Sequence, residues 1–427
     1  MSYYYTMGFC RLAIWMFAML AVVGSGSARA ADCSITIGVI LELTGTAGEY
    51  GQAAAKSVEM ALRDLNEAGG VRGCRLVSAT MDTQGQATVA VDAANQLVQL
   101  RKVPVIIGSI ASSTTIPILT SVTGPARVVQ MSPAASSPKL TSLARDARSN
   151  GMFFRTITSD ALQGGVAAKC ALDHGMRRLA VVYANNDFGV GLYNEFARTF
   201  KALGGVIVAS VPYQERQASY GSEITAALDA AADGLYLIST PLDGAAIARA
   251  WISQGGARRF LLNDGMNSAA FISGVGAKYL NEAYGTSSGT NPTASTRYFY
   301  DQYPAFAGID PNSPAADRAY DAGAILGLAL DAAGNTQSAA IRSAVYRVTD
   351  PSGAVIHAGK DEFVRALALL RDGKPIRYEG VIGAVSFDAS GDISGPFRVW
   401  RITNGSPTTI GEMSVEDVSA LRARIGG

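Results

Sequence analysis

Histidine and cysteine are scarce in this chain, and their scarcity argues against metal chemistry. The 427 residues contain two histidines and four cysteines. Neither His174 nor His357 has a second histidine or cysteine at a metal-ligand spacing. The sequence also lacks a nucleophile elbow and a phosphate-binding loop, and Gly189–Gly191 lacks the third glycine of a dinucleotide fingerprint. We therefore expect no metal, no cofactor and no enzymatic activity. The weaker alternative is that the chain is a secreted enzyme.

Neither sign of charge dominates, and the N-terminus carries the pattern of a secretion signal. The 36 basic and 35 acidic residues give no surplus that would attract nucleic acid or an anionic membrane. The apolar run Leu12–Val23 is too short to span a bilayer, and Ala28–Ala30 fits a signal-peptidase site. The sequence therefore predicts a signal peptide over residues 1–30, cleaved near Ala30, and a periplasmic protein. Met1 and Met7 are both candidate start sites.

The cysteines left after cleavage predict one disulfide. Cys33 stands at the start of the first predicted strand and Cys74 at the start of the second. Since neighbouring parallel strands begin at the same edge of a sheet, and since exported proteins are oxidised, we expect a Cys33–Cys74 bond. Cys170 lies in a helical pattern and is predicted to be a buried apolar residue.

Apolar strands alternate with amphipathic helices through most of the chain. Ser34–Leu41, Val105–Gly108 and Leu179–Ala184 are almost continuously apolar, as expected of parallel strands covered by helices on both faces. The length indicates two such domains, so we predict an α/β protein with two doubly wound parallel sheets. Near the C-terminus, residues 383–388 and 397–402 are predicted to pair around a turn.

A cluster of small hydroxyl residues suggests where a ligand binds. The segment Ser109–Pro117 follows a short buried strand and contains the start of a helix near Ser113. Free N–H groups and hydroxyls at a helix start bind a carboxylate without needing a cation. The alternative is that Ser112 or Ser113 only caps the helix. Ligands of open α/β sheets bind beyond the carboxyl ends of the strands, which agrees with a binding role.

Several short motifs, in their order and spacing, resemble one family. They lie at residues 37–40, 44–45, 50–51, 65–73, 107–109, 112–114, 132–141, 154–156, 186–191 and 387–392. Together they make the chain similar to the type I periplasmic solute-binding proteins of the leucine/isoleucine/valine-binding family, over nearly the whole chain. The resemblance implies two α/β lobes joined by three crossing strands. Lobe 1 would comprise residues 32–155 and 285–388, and lobe 2 residues 156–284 and 389–427.

The resemblance also implies a ligand site in the cleft between the lobes. In lobe 1, the positions that hold the ligand's carboxylate are Ser112, Thr114, Ala134 and Ser136. In lobe 2, the acid that meets the ligand's ammonium group would be Asp264, which could instead form a turn with Gly265.

Aromatic pocket positions of the family match Tyr50 and Phe188, for which ordinary packing is the alternative. The aromatic residue that branched-chain binders carry near 239–242 is absent here, so the class of ligand stays open.

The function implied by the resemblance is capture of a small carboxylate, most simply an amino acid, for an ABC importer. The partners would be that ligand and an inner-membrane permease, and the protein is expected to be a monomer. Alternatives are a sensor that presents its closed form to a receptor kinase or chemoreceptor, or a binder of amides or aromatic acids.

Overall fold

Strands and helices alternate along the chain, as the sequence pattern predicts. The structure, a computed structural model, describes residues 33–228 and 232–424. The predicted signal peptide lies outside the described residues. The strands are β1 Ser34–Leu41, β2 Arg75–Asp82, β3 Val105–Gly108, β4 Val129–Ser132, β5 Phe153–Arg155, β6 Arg178–Ala184, β7 Val206–Tyr213, β8 Gly234–Ile238, β9 Phe260–Leu262, β10 Ala283–Ser288, β11 Ala354–Ile356, β12 Ile376–Gly380, β13 Gly383–Ala384, β14 Phe397–Thr403 and β15 Ser406–Met413.

Helices fill the connections between most of these strands. They are α1 Gly48–Glu67, α2 Ala87–Asn95, α3 Ser112–Ile118, α4 Gly124–Ala126, α5 Pro138–Arg145, α6 Asp160–Asp173, α7 Asp187–Ala202, α8 Gly221–Ala227, α9 Pro241–Ser253, α10 Ala269–Val275, α11 Ala294–Ala307, α12 Ala316–Ala333, α13 Ser338–Val348, α14 Lys360–Arg371 and α15 Val415–Arg424. Short π-helical turns follow α2 and α3, and a 3₁₀ turn at Asp264–Met266 follows β9. Among the described helices, none is both long and apolar enough to cross a membrane.

Two main sheets repeat the same strand order. The first is β2-β1-β3-β4-β5, and all its strands are parallel. The second contains the parallel run β7-β6-β8-β9-β10, which is extended by the antiparallel strands β14 and β15. Each sheet therefore has a switch point beside its first strand, between β1 and β3 and between β6 and β8, where open α/β sheets bind ligands.

Each sheet belongs to its own lobe, and each lobe draws on distant parts of the chain. The largest apolar core joins residues of 37–154 to residues of 299–387. A second core joins residues of 180–283 to Trp400 and Ile402. In the first core, α1 and α12 lie so close that a methyl group on Gly323 would stand 2.9 Å from the Ala61 Cβ atom. Only glycine allows the two helices this approach.

The chain passes between the lobes three times, and the three segments lie side by side. Thr158 forms a parallel bridge with Ile393, and its hydroxyl group is hydrogen-bonded to that of Ser288. The predicted pairing of 383–388 with 397–402 is therefore wrong. A turn does form at residues 388–392, where Phe387 bridges Ile393, but the chain then crosses between the lobes. Its two flanks therefore enter different sheets: β13 pairs with β12, while β14 pairs with β10 and β15.

The predicted disulfide is present. Cys33 and Cys74 are joined with their Cα atoms 4.8 Å apart, and Ser34 stands opposite Arg75 in the register of β1 and β2. Cys170 is the free cysteine of the described residues. It is buried, as predicted, and burial raises the pKa of its thiol to about 12.

Candidate functional site

The loops that follow the strands of both sheets enclose a cavity of about 80 Å³ between the lobes. Every lining residue comes after the carboxyl end of a strand. Loops after β1, β3 and β4 contribute Ala47, Tyr50, Ile110, Ala111, Ser112, Ala134 and Ser136. Loops after β6, β7, β8 and β9 contribute Asn186, Phe188, Glu215, Ser239, Thr240, Pro241, Asn263, Asp264 and Gly265. A cavity of this size suits a small molecule rather than a polymer.

The structure brings most of the sequence-predicted site residues together around this cavity. Those that line it are Tyr50, Ser112, Ala134, Ser136, Phe188 and Asp264. Thr114 does not line it. Its side chain is buried behind the cavity wall, where its hydroxyl group donates to the Glu42 carboxylate at 2.5 Å.

Glu42 occupies the start of α3, where the sequence suggested a ligand's carboxylate. Its carboxylate also accepts the N–H groups of Ile110 at 2.9 Å and Ala111 at 3.4 Å. The side chain is buried, and burial raises the pKa of Glu42 in spite of the hydrogen bonds from Thr114 and the two N–H groups. The protein itself thus supplies an anion to the first donors of this helix.

The next donors along the same wall stay available to a ligand. The Ser112 hydroxyl accepts the N–H of Ser137 at 3.1 Å, which joins the loops after β3 and β4. Ser136 is held in place because its hydroxyl donates to Asp160 at 2.8 Å and its carbonyl accepts the Asp160 N–H at 2.9 Å. Among the described residues, the N–H groups of Ser112 and Ser136 have no backbone partner. This wall therefore offers uncharged donors to the cavity.

The opposite wall carries a carboxylate. Asn263 accepts the N–H of Ser239 at 2.9 Å and places its own amide nitrogen 3.3 Å from an oxygen of Asp264. These contacts fix the loop after β9 against the loop after β8. Burial raises the pKa of Asp264, while hydrogen bonds from Asn263 and Gly265 and the charge of Arg318 act in the opposite direction. Asp264 is thus an acid in a poorly hydrated place, where a cationic partner stabilises its charged form.

Two hydroxyl groups that face the cavity lack a partner. The hydroxyls of Tyr50 and Thr240 are buried without a hydrogen bond among the described residues. Burial, followed by the charges of Asp264 and Glu49, raises the pKa of Tyr50 well above its ordinary value. Buried polar groups are seldom left unpaired in folded proteins, so both hydroxyls fit contacts with polar atoms of a bound molecule.

Polar contacts at the rim hold the lobes close together. The Ser268 hydroxyl of lobe 2 donates to Glu49 of lobe 1 at 2.7 Å. On another side, the Ser137 hydroxyl donates to the Asp187 carbonyl at 2.8 Å, and the Lys139 ammonium group lies 2.8 Å from the Asp187 carboxylate. These contacts join the two lobes across the cavity, so they form only when the lobes are closed.

A neighbouring cavity of about 140 Å³ shares Tyr50, Ala134 and Asp264 with the first. It contains two cations, and both already have acidic partners. Arg318 lies 2.6 Å from Asp317, and Arg398 lies 3.3 Å from Glu412. Within the described residues, no group of three or more potential metal ligands occurs.

Sequence reasoning missed Glu42, Asn186, Glu215, Thr240 and Asn263. All five follow the carboxyl end of a strand, at β1, β6, β7, β8 and β9. That position was the available signal, because loops at these ends form the binding crevice of open α/β sheets. This position identifies the loops that form the site, but it does not identify which of their side chains face the cavity.

Comparison with known proteins agrees with this geometry. Residues 34–405 match the family described as periplasmic binding protein. The chain is 28% identical over 391 residues to Leu/Ile/Val-binding protein homolog 3 of Brucella melitensis biotype 1, covering 91% of this chain and 96% of that protein. It is 27% identical over 384 residues to the chemotactic signal transduction system substrate-binding protein BasB of Halobacterium salinarum, with 88% of each chain covered.

A solved structure shows the same fold. The leucine-binding protein LivK of Thermotoga maritima MSB8 superposes with a TM-score of 0.76 at 22% identity, covering 90% of this chain and 99% of that one. The sequence match spans both lobes and the cavity between them. The family consists of periplasmic proteins that bind their substrates and are not enzymes. This chain is a member of the periplasmic binding protein family.

Proposed function

We propose that this chain is the substrate-binding component of an ABC importer and that it captures a small amino acid between its lobes. The observation that carries the proposal is that the two walls of the cavity differ in chemistry. Uncharged donors of Ser112 and Ser136 lie on one wall, and the carboxylate of Asp264 lies on the other. An amino acid has the complementary division, with a carboxylate at one end of its polar core and an ammonium group at the other.

The ligand's carboxylate would meet the N–H groups at Ser112 and Ser136, and its ammonium group would meet Asp264. Thr114, which the sequence placed in this set, would act indirectly by holding Glu42 at the helix start. Tyr50 and Phe188 would contact the ligand's carbon atoms, and the unpaired Tyr50 hydroxyl would contact its polar end. Charge-assisted hydrogen bonds of this kind are about twice as strong as neutral ones, which gives a small ligand enough affinity.

Binding would proceed by closure of the lobes around the ligand. The proposed rigid units are residues 32–155 with 285–388, and residues 156–284 with 389–427. The side-by-side segments at Thr158, Ser288 and Ile393 would act as the hinge. A ligand that touches both walls binds the closed form better and shifts the equilibrium towards it. The closed form would then deliver the ligand to a permease of the inner membrane, with the protein acting as a monomer.

Names of relatives support the transport role. A protein 28% identical to this chain is a Leu/Ile/Val-binding protein homologue, and a protein of the same fold is a leucine-binding protein. A signal peptide over residues 1–30, cleaved near Ala30, would deliver the protein to the periplasm.

The test is calorimetric titration of the purified protein with amino acids, amides and aromatic acids. If the proposal is correct, an amino acid binds, and Asp264→Asn lowers its affinity at least tenfold because the ammonium group loses its charged partner. Glu282→Gln is the matched control, since it removes an exposed acid of the same lobe that pairs with Arg401. Equal affinity of Asp264→Asn and the wild type would remove Asp264 from the site, and turnover of the ligand would overturn the binding role.

A second candidate function is chemotactic signalling, and one observation favours it. The relative BasB is named as a chemotactic substrate-binding protein and matches 88% of this chain. Co-purification of the ligand-loaded protein from membranes distinguishes the two functions, because importer subunits support transport and a chemoreceptor supports signalling.

A further inference from the structure

Glu215 faces the binding cavity, although neither the sequence pattern nor the proposed amino-acid contacts account for it. It follows the end of β7, the strand next to β6 in the second sheet. The residue is half-buried and lines the cavity together with Phe188 and Asp264.

The Glu215 side chain is held in a defined position. The Asn186 side-chain oxygen accepts the N–H groups of Phe188 at 3.1 Å and Gly189 at 2.9 Å, at the start of α7. This arrangement turns the Asn186 amide nitrogen towards Glu215, where it donates to one carboxylate oxygen at 2.9 Å. Within the described part of the chain, the other oxygen, Oε1, has no protein partner. Glu215 therefore has one oxygen fixed by the protein and one available to a ligand.

The charged side chains that line the cavity are all acidic. Its 16 lining residues include two carboxylates, Glu215 and Asp264, and no lysine, arginine or histidine. Another acid, Asp160, lies directly behind Ser136, and Asp264 is among the charges that raise its pKa. A carboxylate in a poorly hydrated cavity is costly unless a cation or several donors meet it.

Among the described residues, no cation forms a hydrogen bond or ion pair with the available oxygen of Glu215, although the Arg216 charge lowers the pKa of this carboxyl group. Arg216 adjoins Glu215 in sequence, but it lies outside the cavity lining and one of its guanidinium nitrogens donates to the Gln84 carbonyl at 3.3 Å. Asp243, on the other side, adds a like charge that raises the pKa of Glu215 further, after the larger effect of burial. The ammonium group of a simple amino acid can pair with Asp264 and still leaves Glu215 unmatched.

We propose that Glu215 is a specificity-determining residue that selects amino acids with a basic side chain. The proposal rests on the proposed function, because it assumes that the ligand's carboxylate and ammonium groups sit at Ser112, Ser136 and Asp264. The ligand's second cation then donates to the available oxygen of Glu215. Phe188, which lines the same cavity, covers the aliphatic part of the side chain.

Lysine and norleucine make the sharpest pair of probes, because they share a linear four-carbon side chain and differ in the terminal ammonium group. In calorimetric titrations of the full-length mature protein, we expect lysine or its shorter homologue ornithine to bind at least tenfold more tightly than norleucine. Glu215→Gln keeps an acceptor for Asn186 and removes only the charge. It should lower the affinity for the basic ligand at least tenfold and change that for norleucine less than threefold.

Glu223→Gln is the control, since it removes a half-buried acid of the same lobe that lies on α8, outside the cavity lining. Melting curves establish that each variant is folded. Norleucine or leucine binding as tightly as lysine, with Asp264→Asn still harmful, would overturn this inference and leave the proposed function intact. Equal losses for lysine and norleucine in Glu215→Gln would show a purely structural role for Glu215. Failure of every amino acid to bind would overturn the proposed function itself.

Discussion

Replacing Glu42 by alanine should destabilise the first lobe, because it removes the anion that the protein places at the start of α3. Three donors lose their acceptor: the N–H groups of Ile110 and Ala111 and the hydroxyl group of Thr114. A hydrogen bond contributes about 1 kcal/mol net, so the three together amount to about 3 kcal/mol of unfolding free energy. For a unit of about 150–250 residues, this corresponds to a loss of about 6–12 °C in melting temperature.

The assay is thermal and urea unfolding followed by circular dichroism. Added acetate should raise the melting temperature of Glu42→Ala more than that of the wild type, because it can occupy the vacated anion site. Glu59→Ala is the control: Glu59 is 40% exposed and pairs with Lys56 on the surface, so its loss should cost less than about 1 kcal/mol. A Glu42→Ala variant as stable as this control would refute the reasoning.

The pH dependence of the Glu42→Gln variant tests the same contact independently. Burial raises the pKa of Glu42 above its ordinary value of 4.5. A raised pKa in the folded state means that the contribution of Glu42 to stability is complete below pH 4.5 and declines as the pH rises through the folded-state value. Glutamine does not titrate, so the difference in unfolding free energy between wild type and variant should shrink from pH 4.5 towards neutrality. If the difference in unfolding free energy instead grows from pH 4.5 towards neutrality, the pKa of Glu42 is not raised in the folded protein.

Three further changes have defined outcomes. Gly265→Ala should weaken ligand binding at least tenfold in calorimetry and also lower stability, since the added methyl group would stand 2.7 Å from the Asn263 amide nitrogen, 3.1 Å from the Ser239 carbonyl oxygen and 3.2 Å from the Tyr50 hydroxyl, so the cavity wall must shift; unchanged affinity would place the ligand elsewhere. Lys139→Ala should weaken binding less than about fivefold and act mainly on the dissociation rate, because its pair with Asp187 is exposed and helps to hold the closed form. Replacing Cys33 and Cys74 by serine opens a loop closed over 41 residues and should cost about 4 kcal/mol by the chain-entropy relation, measured by urea unfolding without reductant; a loss below 1 kcal/mol would show that the unfolded state is not constrained by the bond.

Local patterns were sufficient to predict most of the first sheet and the disulfide. β1 and β3 are short apolar runs bounded by glycine or polar residues, and their burial follows from composition alone. The Cys33–Cys74 bond followed from the positions of two strand starts, because parallel neighbours begin at the same edge. The pairing of β14 was missed, since the turn at residues 388–392 is followed by a crossing between the lobes, so its two flanks enter different sheets.

The sequence by itself determined the fold class, the family and most of the loops that form the site. These depend on periodicity and motif order, which are properties of neighbouring residues. The tertiary structure decided which side chains face the cavity. Thr114 and Glu42 are hydrogen-bonded although 72 positions separate them in the sequence. Glu215 reaches the cavity from the loop after β7, which contains none of the sequence motifs. Such choices depend on the packing of two lobes built from distant segments, and no local pattern encodes the direction in which a side chain points.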